Sequence, residues 1–167
     1  MSIELLNAPA IDADPLDSIE AVAAGLEMDV ERVEQGELHI MLPGVWRDIG
    51  LWFTWRSGLS TLQLGAPLDL KAPLDRIGDV SRLAAMVNEQ LWIGHFDLWT
   101  DDRAVVYRNA AVLPEDGALD PMQAERLIQG AREAVDRFYP AFNYLIWAGK
   151  SPEEALRASL FETAGSA

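Results

Sequence analysis

Between Glu37 and Leu70 apolar side chains alternate with polar ones in three successive runs, and a period of two confines this stretch to a sheet with one buried face. In ELHIML, Leu38, Ile40 and Leu42 share a face while His39 and Met41 take the other, until Pro43-Gly44 breaks the run. In RDIGLWFTWRS the same parity gathers Ile49, Leu51, Phe53 and Trp55 opposite Gly50, Trp52, Thr54 and Arg56. After Ser57-Gly58, Leu62, Leu64, Ala66, Leu68 and Leu70 alternate with Thr61, Gln63, Gly65, Pro67 and Asp69. Three half-buried strands joined by short turns predict an antiparallel meander whose apolar face needs a cover.

Helical spacing supplies that cover. Asp14-Pro15 is a cap followed by a proline at the first helical position, and Leu16, Ile19, Val22, Ala23 and Leu26 then recur on one stripe. Pro73 opens a second helix with Ile77, Val80, Ala84, Val87 and Leu91 in register, and Gly94 stands where a C-terminal cap is wanted. Two further strands are expected around 95–100 and 104–113, joined by a tight turn at Asp101-Asp102. Asp120-Pro121 starts a third helix carrying Ile128, Ala131, Val135, Phe138, Phe142 and Leu145, in which Pro140 should introduce a kink. Ser151 and Glu154 make the capping box of a short last helix. The order is helix, three strands, helix, two strands, helix, short helix. Hairpin-joined strands with helices in blocks predict an α+β fold with an antiparallel sheet of about five strands covered by helices. The expected organisation is an N-terminal arm over 1–13, one domain over 14–164 and a tail at 165–167.

Composition narrows the roles. The chain has 167 residues, long enough for one core, and 50% of them are hydrophobic. It has no cysteine, which removes disulfides, thiolate metal sites and thiol nucleophiles. No apolar run is long enough for a bilayer, and MSIELLNAPA lacks the basic and apolar regions of an export signal, so the expected compartment is the cytoplasm. The net charge is −14, a sign that repels nucleic acid and anionic lipid. Residues 1–37 hold ten carboxylates and a single base, Arg32. Such a face keeps a protein soluble or steers it toward a basic partner.

Candidate chemistry is sparse. His95 and Asp97 lie two apart on a strand, and an even turn would bring Arg108 to the same face; a cross-strand Asp97–Arg108 ion pair beside His95 explains the group without catalysis, and the alternatives are a partner or ligand contact and general acid/base work. There is no nucleophile elbow, and Gly149-Lys150-Ser151 lacks the first glycine of a phosphate loop. Asp12, Asp14, Asp17 and Glu20 lack calcium-loop spacing and suit helix capping. No catalytic residue, metal or cofactor is therefore expected. Trp55 belongs to the core face. Trp52 stands on the other face beside Arg56, where it is either covered or left for a partner, and Trp46 sits in a loop with the same two readings. Trp92 and Trp147, near helix ends, are expected to pack.

Taken together and in this order, LWFTWRS, NEQLWIGHFDLW and RFYPAFNYLIWAGKSPEEAL resemble the YbjN family of bacterial sensory-transduction regulators, over roughly residues 14–164. The resemblance implies the fold of type III secretion chaperones, small acidic proteins in which helices cover an antiparallel sheet and which usually pair as dimers. It implies no reaction and brings no catalytic residues. The resulting expectation is a non-enzymatic cytoplasmic module, dimeric, that holds a segment of another protein through Trp46, Trp52 and Arg56. The alternative is a small-molecule sensor with an apolar pocket between sheet and helices, fixed by His95, Asp97 or Arg108.

Overall fold

The structure is a computed structural model and describes residues 13–34 and 36–165. All but Ala13 of the expected arm, and residues 166–167 of the expected tail, lie outside the described residues. The chain runs α1 (Pro15–Gly25), β1 (Asp29–Glu34), β2 (Glu37–Pro43), β3 (Asp48–Arg56), β4 (Thr61–Lys71), α2 (Ile77–Asn88), β5 (His95–Leu98), β6 (Ala104–Val112), α3 (Pro121–Trp147) and α4 (Pro152–Gly165). The six strands form one sheet in the order β1-β2-β3-β4-β6-β5, and every neighbouring pair is antiparallel.

The alternation read from the sequence decides which face is covered. Leu38, Ile40, Leu51, Phe53, Leu62 and Leu64 are buried, and they pack with Ile19 of α1, Leu83 of α2 and Phe142 of α3 in one core. Phe96, the one fully buried residue of β5, lies 5.5 Å from the Tyr107 ring and 5.2 Å from Phe142. Burying a side chain of that size stabilises by about 1.5–3 kcal/mol. α4 closes the helical layer, with Ser159 Oγ donating to the Arg137 carbonyl at 3.0 Å.

Three features add to or depart from what the sequence predicts. The first is β1, a sixth strand. Its helix-facing positions are Val30 and Arg32, opposite Ile40 and Leu38, so only one of the two is apolar and the alternation is broken. Arg32 makes ion pairs with Asp14 at 3.0 Å, with Glu20 at 3.0 Å and with Asp17, all from the α1 segment. The only base in the acidic N-terminal stretch therefore ties α1 to the sheet edge.

The second is the end of α2, which stops at Asn88 instead of continuing to Leu91. The Asn88 amide turns to β5, accepting from Phe96 N at 2.7 Å and donating to Phe96 O at 3.0 Å. One side chain thus satisfies both backbone groups that Phe96 turns to the outer edge of β5. Gly94 follows with φ +72°, and a Cβ there would lie 2.2 Å from the Tyr107 hydroxyl oxygen, so both the backbone and the space require glycine. Burial pushes the Tyr107 hydroxyl up to about 12, and it donates to the Ile93 carbonyl at 3.4 Å.

The third concerns Pro140, around which α3 continues over 27 residues. Proline has no N–H, so the carbonyl four residues earlier, that of Asp136, loses its helical partner. Trp46 Nε1 donates to this carbonyl at 2.7 Å, while the Asp136 carboxylate accepts from Val45 N at 2.8 Å. Burial raises the Asp136 pKa, against the opposing pull of the Val45 N–H and Arg132. The β2–β3 loop is clasped to the helix at the point where proline opened it.

Candidate functional site

All four helices pack on one side of the sheet, and none lies on the other face. Strand register lines up one residue from each strand across it: Glu31 faces His39, His39 faces Trp52, Trp52 faces Gly65, Gly65 faces Arg108, and Arg108 faces His95. The row spans every strand of the sheet.

Gly65 is needed at its centre. A Cβ there would come within 2.2 Å of Trp52 Cζ2, so the indole lies flat on the Gly65 backbone and stays partly exposed. An aromatic laid over a cross-strand glycine covers backbone that would otherwise be open to water. Beside the indole, His39, Met41 and Pro67 border a hollow of about 510 Å³, with Gly50 in its lining. Met41 is 47% exposed. His39 is oriented by Glu37, whose Oε1 lies 2.8 Å from His39 Nε2.

At the β5 end of the row Arg108 donates to Asp97 at 3.1 Å, and His95 Nε2 lies 3.4 Å from the same carboxylate oxygen. All three side chains are between one third and one half exposed. The sequence parity that put them on one face holds, and the ion pair it called for is formed.

The expected contact residues separate. Trp52 and Arg56 share the open face, with Arg56 exposed at the end of β3. Trp46 belongs to the helical side, through its bond to α3, and is 41% exposed. Trp55 is half-buried against the core, as its parity requires. Trp92 and Trp147 do not pack as expected: they are 102% and 76% exposed, because the chain leaves α2 before Trp92 and α3 ends at Trp147. An apolar hollow between sheet and helices does exist, lined by Tyr107, Leu127 and Phe138 among others. His95, Asp97 and Arg108 lie on the opposite face of the sheet and do not fix it. Glu31 and Gly65 were not legible as members of the row, since cross-strand register is not written in any one strand.

The architecture defines an α+β protein built on a one-sided antiparallel sheet. Residues 15–143 match the model of the YbjN family, described as "Putative bacterial sensory transduction regulator", and the chain belongs to that family. Among solved structures it is similar to "Crystal structure of YbjN, a putative transcription regulator from E. coli", with a TM-score of 0.51 and 13% identity over 88% of this chain and 93% of that one. At that identity the likeness shows the fold. A comparison with curated proteins finds no match. No helix among the described residues is long and apolar enough to cross a membrane.

Proposed function

We propose that this chain is a non-enzymatic regulatory module that binds another protein chain, a second copy of itself included, through the uncovered face of its sheet. The observation that carries the reading is the Trp52 indole laid on Gly65 beside the hollow bordered by Met41, His39 and Pro67. A rigid aromatic next to a recess, within a polar surround, is the composition of an interface centre. Arg56 extends the surface along β3, and the row of Glu31, His39, Arg108 and His95 supplies charge of both signs that fixes how a partner sits. Family membership supports a regulatory role. We place the protein in the cytoplasm, in keeping with the regulatory role of the family.

The test is light scattering for self-association and affinity capture for other partners, with the wild type and Trp52→Glu side by side. The substitution puts a carboxylate in the middle of the face and leaves the opposite, core face untouched. Loss of a defined association in the variant, with its melting curve retained, is the expected result. If every association survives Trp52→Glu, the open face is not the binding surface.

A further inference from the structure

The helical side of the sheet holds a second recess that the open-face reading does not use. β5 pairs only with Val105 to Arg108, so from Asn109 to Val112 strand β6 has a neighbour on the β4 side alone. Where a longer β5 would lie, a hollow of about 500 Å³ opens between β6 and the N-terminal half of α3. That volume is in the range of sites for small organic ligands. Its lining includes the apolar side chains of Ala111, Leu113, Leu127 and Phe138, and Trp92 stands at its margin.

Charge at the rim reverses that of the rest of the molecule. In a chain of net charge −14, the hollow is bordered by Arg126 and Arg137 against a single carboxylate, Glu133. Arg137 is placed by Gln90 at 3.3 Å and by the Phe138 ring, 4.8 Å from its guanidinium carbon. Arg126 is exposed, with no hydrogen-bond or ion-pair partner among the described residues.

The room is kept by a glycine. Gly130 lies inside α3 and lines the hollow, and a Cβ added to it would meet no atom within 4 Å. Neither close packing nor a left-handed backbone calls for glycine here, and glycine weakens a helix interior. Its effect is to keep that wall of the hollow open.

The same region is poorly suited to an added peptide strand. The Ala110 N–H is taken by Asn109 Oδ1 at 2.8 Å, and both backbone groups of Phe96 are held by Asn88. Three of the backbone groups that strand pairing would use are thus engaged, whereas the apolar lining is open and both guanidinium groups border it.

The geometry points to a binding site for a small amphipathic carboxylate, an acyl or aryl acid whose apolar body fills the hollow and whose carboxylate meets Arg126 and Arg137. The site is independent of the open face. Its probe is sodium decanoate below its micelle concentration, titrated calorimetrically into the full chain, with decan-1-ol as the uncharged counterpart. Saturable one-to-one binding of decanoate is expected, with the alcohol about tenfold or more weaker, the ratio that loss of a charge-assisted hydrogen bond produces. Gly130→Leu, which projects a side chain into the hollow from a better helix former, abolishes binding. Arg126→Glu, a surface change that leaves the apolar lining intact, weakens it by about tenfold or more and keeps the test decisive should Gly130→Leu not fold. The proposal is overturned if decanoate gives no saturable heat, if acid and alcohol bind alike, or if either folded variant binds as the wild type does. Loss of decanoate binding in Trp52→Glu with retention in Gly130→Leu would likewise overturn it, by placing the ligand on the other face.

Discussion

Trp46 and Pro140 should be energetically coupled although 94 positions separate them, because both act on the Asp136 carbonyl. Trp46→Phe keeps an aromatic ring in the loop and removes the donor 2.7 Å from that oxygen. The carbonyl then has neither the indole nor a helical N–H from residue 140, and the cost expected for one lost hydrogen bond is about 1 kcal/mol. For a domain of this size that corresponds to a fall of roughly 2–4 °C in Tm. Pro140→Ala returns an N–H to the helix and relieves the clash of the ring with the carbonyl, gains opposed by the lost packing of a buried proline. In the Pro140→Ala background the carbonyl has a helical partner, so Trp46→Phe should cost little. The double-mutant cycle should therefore give a coupling of about 1 kcal/mol, outside the roughly 0.3–0.5 kcal/mol scatter of independent sites. Urea denaturation of the four proteins measures it from the midpoints, provided the m-values agree. Additive midpoints would refute the account of Trp46 as the replacement donor.

Asn88→Ala removes both bonds to the Phe96 backbone and leaves a part-buried N–H and C=O unpaired, so a loss of about 2 kcal/mol is expected in the same denaturation assay. Hydrogen exchange should show the deficit in β5 first, since that four-residue strand has only β6 as a strand neighbour. Gly65→Ala places a methyl group where the Trp52 ring lies and should displace the indole into water at a cost of about 1–3 kcal/mol, visible as a red shift of the tryptophan emission that is absent in Trp52→Phe/Gly65→Ala. Gly130→Ala, by contrast, should stabilise by about 0.5–1 kcal/mol, raising Tm while shrinking the hollow beside α3. An unchanged or lower Tm would mean that Gly130 has a packing role the structure does not show.

Period-two runs told the faces of β2, β3 and β4 correctly because burial on one side is what writes that pattern, and the cap-plus-proline pairs at Asp14-Pro15 and Asp120-Pro121 marked real helix starts. β1 escaped because Arg32 occupies a helix-facing position and is neutralised by carboxylates of the α1 segment, a relation that hydropathy does not record. The end of α2 was misplaced for a similar reason: Leu91 continues the apolar stripe, but Asn88 has a tertiary partner in Phe96 that ends the helix first. Of the candidate residues, His95, Asp97 and Arg108 were brought together by parity alone, within one hairpin. Trp46 could not be assigned to a side from sequence, since its position depends on a carbonyl freed in α3. Neither hollow was legible in position, because one depends on the register of four strands and the other on β5 being shorter than β6.

The pairing of Trp52 with Gly65 also bears on how the sheet finds its alignment during folding. If β3 slid by one residue along β4, the leucines of one strand would face water, and loss of burial alone rejects that state. A slip of two residues keeps every face correct and escapes that penalty. It would, however, carry Gln63 or Pro67 beneath the indole in place of Gly65, so the ring would meet a side chain where it now lies on bare backbone. The only glycine in β4 thus acts as a notch, and misaligned hairpins that hydrophobic patterning would tolerate are the ones it discriminates against.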